Sequence, residues 1–165
     1  MKSCACLCLL AAVVIALGQP ACLTADEPVV DKVTWQRNLY AGWKQAGKEK
    51  RPLVVLFTLP AEDDCSWCQK LDQEVLDTLE FHQFAGRAVF VRAVSTDEDD
   101  KGNYAQLKTD LEIKRYPTIV VLDATEERII ESGRVIGFFE SDEYVKHLHT
   151  LLQAWTDGQV AATPE

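Results

Sequence analysis

Two cysteines with two residues between them, Cys65-Ser66-Trp67-Cys68, constrain this chain more than any other feature. They follow the apolar run Leu53-Val54-Val55-Leu56-Phe57 and open a segment that reads as helix through Glu74, Val75 and Leu76. Strand, short loop, Cys-x-x-Cys and helix form the context in which such a pair serves redox chemistry. The first turn of a helix leaves backbone N–H groups unpaired and carries partial positive charge. A thiolate is stabilised there, so Cys65 is the candidate nucleophile. Cys68 lies three residues on, on the same helical face, where it can attack a mixed disulfide formed at Cys65.

The rest of the cysteine count sharpens this reading. Lys2 precedes an apolar stretch from Ala5 to Leu17, and no Asp or Glu occurs before Asp26. The pattern reads as a secretory signal peptide over residues 1–25, with cleavage after Gly18, Ala21 or Ala25. A membrane anchor is the second reading, since the run is shorter than the ~20 residues that span a bilayer. A lipid anchor at Cys22 is a minor one, because Gln19-Pro20-Ala21 makes a poor lipobox. The expected location is periplasmic or secreted. Cys4, Cys6, Cys8 and Cys22 lie in or beside this leader, so cleavage after Ala25 leaves only Cys65 and Cys68. A single close pair does not staple an exported scaffold and points to exchange chemistry. The length of 165 residues suits one domain, and the net charge of −9 opposes a nucleic-acid groove.

The remaining segments are read in order. Residues 26–32 are a polar lead-in. Thr34 is expected to cap a helix whose Trp35, Leu39 and Trp43 share one face, ended by the loop from Gly47 to Pro52. Leu53 to Phe57 reads as a central strand covered on both sides. Leu71, Val75 and Leu79 are expected to form the buried side of the cysteine helix, which breaks near Asp77 to Glu80, with Phe81 and Phe84 packing beyond. Ala88 to Val94 is a second strand, Ser95 to Asn103 an acidic turn, and Tyr104 to Leu111 a helix. Thr118 to Leu122, after Pro117, is a third strand. Residues 128–130 and 134–136, around Gly133, suggest two short antiparallel strands. Ser141 caps a last helix with Tyr144, Leu148, Leu151, Leu152 and Trp155 inward, and residues 158–165 are expected to fray. The order predicts an α/β fold, a central mixed sheet flanked by helices on both faces, with its first three strands parallel.

With these residues in place, the chain resembles the thioredoxin superfamily, and most closely an exported thioredoxin-like branch similar to the C-terminal domain of periplasmic thiol:disulfide interchange proteins. Three stretches carry the resemblance: Asp64 to Leu71 with Glu74-Val75-Leu76, Arg115-Tyr116-Pro117-Thr118 with the apolar run to Asp123, and Gly133 with Gly137 before the last helix. It spans roughly residues 33 to 155 and implies a thioredoxin-like domain over 33–157. It also implies a cis Tyr116–Pro117 bond lying against the cysteine pair, with Tyr116 and Pro117 pairing with an extended substrate. The chain departs from thioredoxins proper, which have Gly-Pro where Ser66-Trp67 stands and Trp where Asp64 stands. The family's buried carboxylate aligns with Leu56. Proton transfer to Cys68 would then use water or a loop acid such as Glu62.

The expected activity is thiol–disulfide exchange with Cys65 and Cys68 as the redox-active pair, and Ser66, Trp67, Tyr116 and Pro117 at the substrate. A static disulfide on a peptide-binding module is the alternative. A bridge closing so short a loop constrains the unfolded chain little, which favours exchange. The helix dipole favours the Cys65 thiolate, while Glu62, Asp63 and Asp64 oppose it. A thiolate that is not over-stabilised leaves the disulfide as the stable form, which predicts an electron donor. Trp67 reads equally as a substrate platform and as plain packing, and Lys70 as a solvated helix residue. The acidic run Asp97 to Asp100 lacks calcium-loop spacing. His82, His147 and His149 show no zinc spacing and read as surface or helix-face residues, and Gln69 stands where haem attachment needs histidine. No metal and no organic cofactor is expected. The expected partners are protein thiols or disulfides and an upstream electron donor, with cytochrome maturation as one further client. The mature chain is expected to be a monomer without a membrane span.

Overall fold

The computed structural model describes residues 31–60, 63–95, 103–124 and 130–162. Its centre is strand β2, Leu53–Thr58, buried along its whole length. Successive side chains of a strand point to opposite faces. Val54 and Leu56 accordingly enter one apolar cluster, and Leu53, Val55 and Phe57 enter another. A strand covered on both faces needs no polar alternation, which accounts for the unbroken apolar run. Each Leu or Phe fully buried there contributes about 1.5–3 kcal/mol.

The described residues form a five-stranded sheet. With β2 it holds β1 (Trp35–Gln36), β3 (Val89–Val94), β4 (Thr118–Asp123) and β5 (Ile130–Ile136), in the order β1-β3-β2-β4-β5. One face carries α1 (Leu39–Glu49) and α4 (Asn103–Asp110), through Leu39, Ala46, Leu107 and the Leu111 that follows. The other carries α2 (Ser66–Leu71), α3 (Leu79–His82) and α5 (Ser141–Ala162), through Leu71, Phe81, Tyr144 and Leu148. The mixed sheet flanked by helices on both faces is as expected. Gly42 brings α1 close to the sheet, since a Cβ there would stand 2.3 Å from Val91 Cγ2.

Four local expectations are corrected. β1 and β2 run parallel to β3, but β4 runs antiparallel to β2, with Thr118 opposite Phe57. The segment after α4 returns the chain to the end of the sheet where β2 finishes, so β4 enters from that end. Trp35 lies in edge strand β1 and not in the first helix, which Asn38 caps by accepting from the Ala41 N–H. Trp35 therefore packs with Phe81 and Phe90 on one face, while Leu39 and Trp43 pack on the other. Leu79 is 67% exposed. After Leu71 the helix continues as a π-helical turn, Asp72–Leu76, which rotates the register and buries Val75 and Leu76. Thr78 then caps α3, its hydroxyl oxygen accepting from the Phe81 N–H, and Leu79 falls on the outside. Residues 130–136 form one continuous strand with an irregularity opposite Val121/Leu122, so Ile130 and the stretch 134–136 do not belong to separate strands, and Arg128 and Ile129 lie outside the described residues. α5 runs through Gly158 to Ala162. The acidic run Asp97 to Asp100, Glu62 and the leader lie outside the described residues.

Candidate active site

Cys65 stands at the head of α2. Its carbonyl accepts from the N–H groups of Cys68 (3.0 Å) and Gln69 (3.1 Å), the first bonds of the helix. Its sulfur is bonded to that of Cys68, with the Cα atoms 5.3 Å apart. The two cysteines differ in access: Cys65 is half-buried, whereas Cys68 is 6% exposed. Cys65 is thus the more accessible of the two sulfurs, and Cys68 is shielded behind it. Spacing alone does not reveal this asymmetry.

The Tyr116–Pro117 bond is cis, as the resemblance implied. The surrounding chain holds this loop from several sides. The Thr118 hydroxyl donates to the Arg115 carbonyl at 2.8 Å, and the Gly137 N–H donates to the Pro117 carbonyl at 2.8 Å. The Tyr116 hydroxyl donates to Ser95 Oγ at 3.0 Å, and the Lys108 ammonium lies 5.7 Å from the centre of the Tyr116 ring. Thr118 at the start of β4, Gly137 just after β5, Ser95 just after β3 and Lys108 on α4 thus share in fixing one loop.

Between helix head and loop lies an open cleft of about 440 Å³. Cys65, Ser66 and Trp67 line it from one side and Tyr116 from the other. Cys68 and Pro117 are buried and do not line it. Sequence reasoning missed Lys114, Arg115, Ile136 and Gly137 as lining residues. The two cations adjoin Tyr116 in sequence and were within reach of a local reading. Ile136 has no such signal, because only the β4–β5 pairing brings it there.

Trp67 is 55% exposed, and its indole stacks on Phe138 with ring centres 5.7 Å apart. The Lys70 ammonium lies 4.9 Å from the centre of the Phe138 ring and 5.8 Å from that of Trp67. Lys70 is exposed on the helix, as expected, and stands 3.7 Å from the equally exposed Glu74. Trp67 is packed and accessible at once: one face rests on Phe138 and much of the ring is left open. Leu56 is 1% exposed within an apolar cluster. His82 is a further correction. It is 8% exposed, and its Nδ1 accepts from the Val33 N–H at 3.4 Å. Among the described residues no group of three or more His, Cys, Asp or Glu is placed to hold a metal, and no helix is long and apolar enough to cross a membrane.

Residues 34–124 match the thioredoxin-like family. Over 94 residues the chain is 27% identical to a Chlamydia pneumoniae protein described as disulfide bond reductase DsbH, covering 52% of this chain and 54% of that one. The chain thus spans about half the length of this curated relative. Among solved structures, a DsbH oxidoreductase superposes with a TM-score of 0.64 at 20% identity, covering 79% of this chain and 92% of that one. A Thermus thermophilus thioredoxin gives 0.60 at 20% identity, covering 73% and 87%. The oxidised C-terminal domain of Neisseria meningitidis DsbD gives 0.54 at 20% identity, covering 71% and 98%. These likenesses concern the fold.

Proposed function

The chain belongs to the thioredoxin-like family, and from that premise we propose that it is an exported thiol–disulfide oxidoreductase that reduces disulfides in polypeptide substrates. One observation carries the reading: an accessible Cys65, bonded to a shielded Cys68, opens into a cleft whose other wall is the cis-proline loop.

The reaction runs in two exchanges. The Cys65 thiolate attacks one sulfur of the substrate disulfide, and the other substrate sulfur leaves as a thiolate that takes up a proton. The Cys68 thiol then loses its proton and attacks the Cys65 sulfur, releasing the second substrate thiol. Two electrons pass from the dithiol to the substrate, and the Cys65–Cys68 disulfide is formed. A dithiol partner restores it by the same exchange. Backbone N–H groups at the helix head favour the Cys65 thiolate. Exposed Asp63 and Asp64 oppose it and hold the pair toward the reducing side. The relative described as a disulfide bond reductase supports the same direction. Export rests on the apolar leader and on the two cysteines that remain after Ala25.

Insulin reduction driven by a dithiol tests the activity. The native chain is expected to accelerate it, and Cys65→Ser to abolish the acceleration. Equal rates for the two would leave a static bridge on a peptide-binding module. The reduction potential tests direction, with a value nearer ~−270 mV than ~−120 mV expected.

A further inference from the structure

Resting on the oxidoreductase reading, we propose that the cleft selects disulfide-bearing segments with a carboxylate side chain beside the reacting cysteine, placed against Arg115. Lys114, Arg115 and Ile136 line both the Cys65 cleft and a neighbouring cleft of about 520 Å³. The two clefts adjoin along these residues, so a segment leaving Cys65 in that direction passes over apolar Ile136 and alongside the two cations.

The cations are not equally free. Arg134, on the second cleft, is held by Glu131 through both Nε and a terminal nitrogen. Lys114 stands 3.7 Å from Glu112 at the surface. Arg115 is exposed, and its guanidinium makes no hydrogen bond or ion pair with any described residue. A guanidinium presents a planar fork that matches a carboxylate. The Cys65 cleft is also bordered by Asp64, whose exposed carboxylate has the opposite sign. Asp110 and Glu112 also line the neighbouring cleft, so an anion is disfavoured near Asp64 and beyond Arg115, and the favoured place is confined to Arg115 itself, beside the Cys65 cleft. This stands out on a chain of net charge −9, so the preference belongs to the cleft and not to the molecule as a whole.

The test uses the reduced full chain and short peptides with one cysteine blocked as a mixed disulfide with 2-mercaptoethanol. Glutamate or lysine is placed directly before or directly after that cysteine. Bis(2-hydroxyethyl) disulfide serves as the neutral reference. At low salt, glutamate at one of the two positions is expected to be reduced about threefold or more faster than lysine, the size of a surface ion pair. The ratio is expected to shrink at ~0.5 M salt and to vanish or invert in Arg115→Glu. A ratio below threefold at both positions, or one kept in Arg115→Glu, overturns the inference while reduction of the neutral disulfide leaves the oxidoreductase reading standing. Failure to reduce any disulfide, the neutral one included, overturns both.

Discussion

The indole of Trp67 stacks on the ring of Phe138, centre to centre 5.7 Å and 23° from parallel. One partner sits between the two cysteines, and the other follows β5 just after Gly137. The contact makes Trp67 a fixed shelf beside Cys65, with Lys70 over the same pair of rings. An exposed side chain held in one place costs little further ordering when a substrate lies on it.

Trp67→Ala should therefore weaken substrate engagement more than folding. Losing one aromatic contact of ~1 kcal/mol corresponds to about a fivefold rise in KM for peptide disulfides. The rate with a small neutral disulfide should change less. Steady-state kinetics on both substrates checks this, and an equal loss on both would show that the ring acts on the cysteine pair itself.

Shielding of Cys68 predicts a separable second step. Cys68→Ser should leave the first attack intact and block release, so that a mixed disulfide between Cys65 and a peptide accumulates. Intact-mass analysis should show one peptide per chain, released by dithiothreitol. An adduct that fails to form would mean that Cys65 is not the attacking thiol.

Gly133 has φ +155°, and a Cβ there would stand 2.5 Å from Leu151 Cδ2. Gly133→Ala must move Leu151 on α5 and strain the irregular pairing of β5 with β4. The expected destabilisation is about 1–3 kcal/mol, read as a lower midpoint in urea. Adding Leu151→Ala relieves the clash but not the backbone strain, so the double variant should not fully recover.

The Tyr144 side chain is fully buried, and its hydroxyl has no hydrogen-bond partner among the described residues. Burial alone raises its pKa well above the usual phenol value. Below the unfolded-state pKa of ~10 both states hold the proton, and the full stability is present. Above it the unfolded chain releases the proton first, so stability falls as pH rises from ~10 toward the folded value. Tyr144→Phe should remove this alkaline loss and stabilise the chain by ~1 kcal/mol at neutral pH. Urea unfolding at neutral pH and above pH ~10 checks both, and an unchanged alkaline slope would point to a different group.

What could be read along the chain was whatever neighbouring residues encode together. The apolar runs at Leu53 and Thr118 marked buried strands, because a strand covered on both faces shows no polar alternation. Cys65 at a helix head, and Pro117 before a strand, were visible for the same reason. Packing between distant segments decided the rest. The direction of β4 depends on where α4 and its following loop return the chain, which no local period records. Trp35 fits a helical spacing with Leu39, yet pairing with β3 draws it into an edge strand. Leu79 fits the period of the cysteine helix, yet one π-helical turn rotates it outward. Phe138 and Ile136 reach the site only because β5 pairs with β4. Sequence thus determined where the cysteine pair sits, at a helix head after a buried strand, and which strands must be buried. Tertiary structure alone decided what surrounds the sulfurs, because that depends on contacts between residues far apart in the chain.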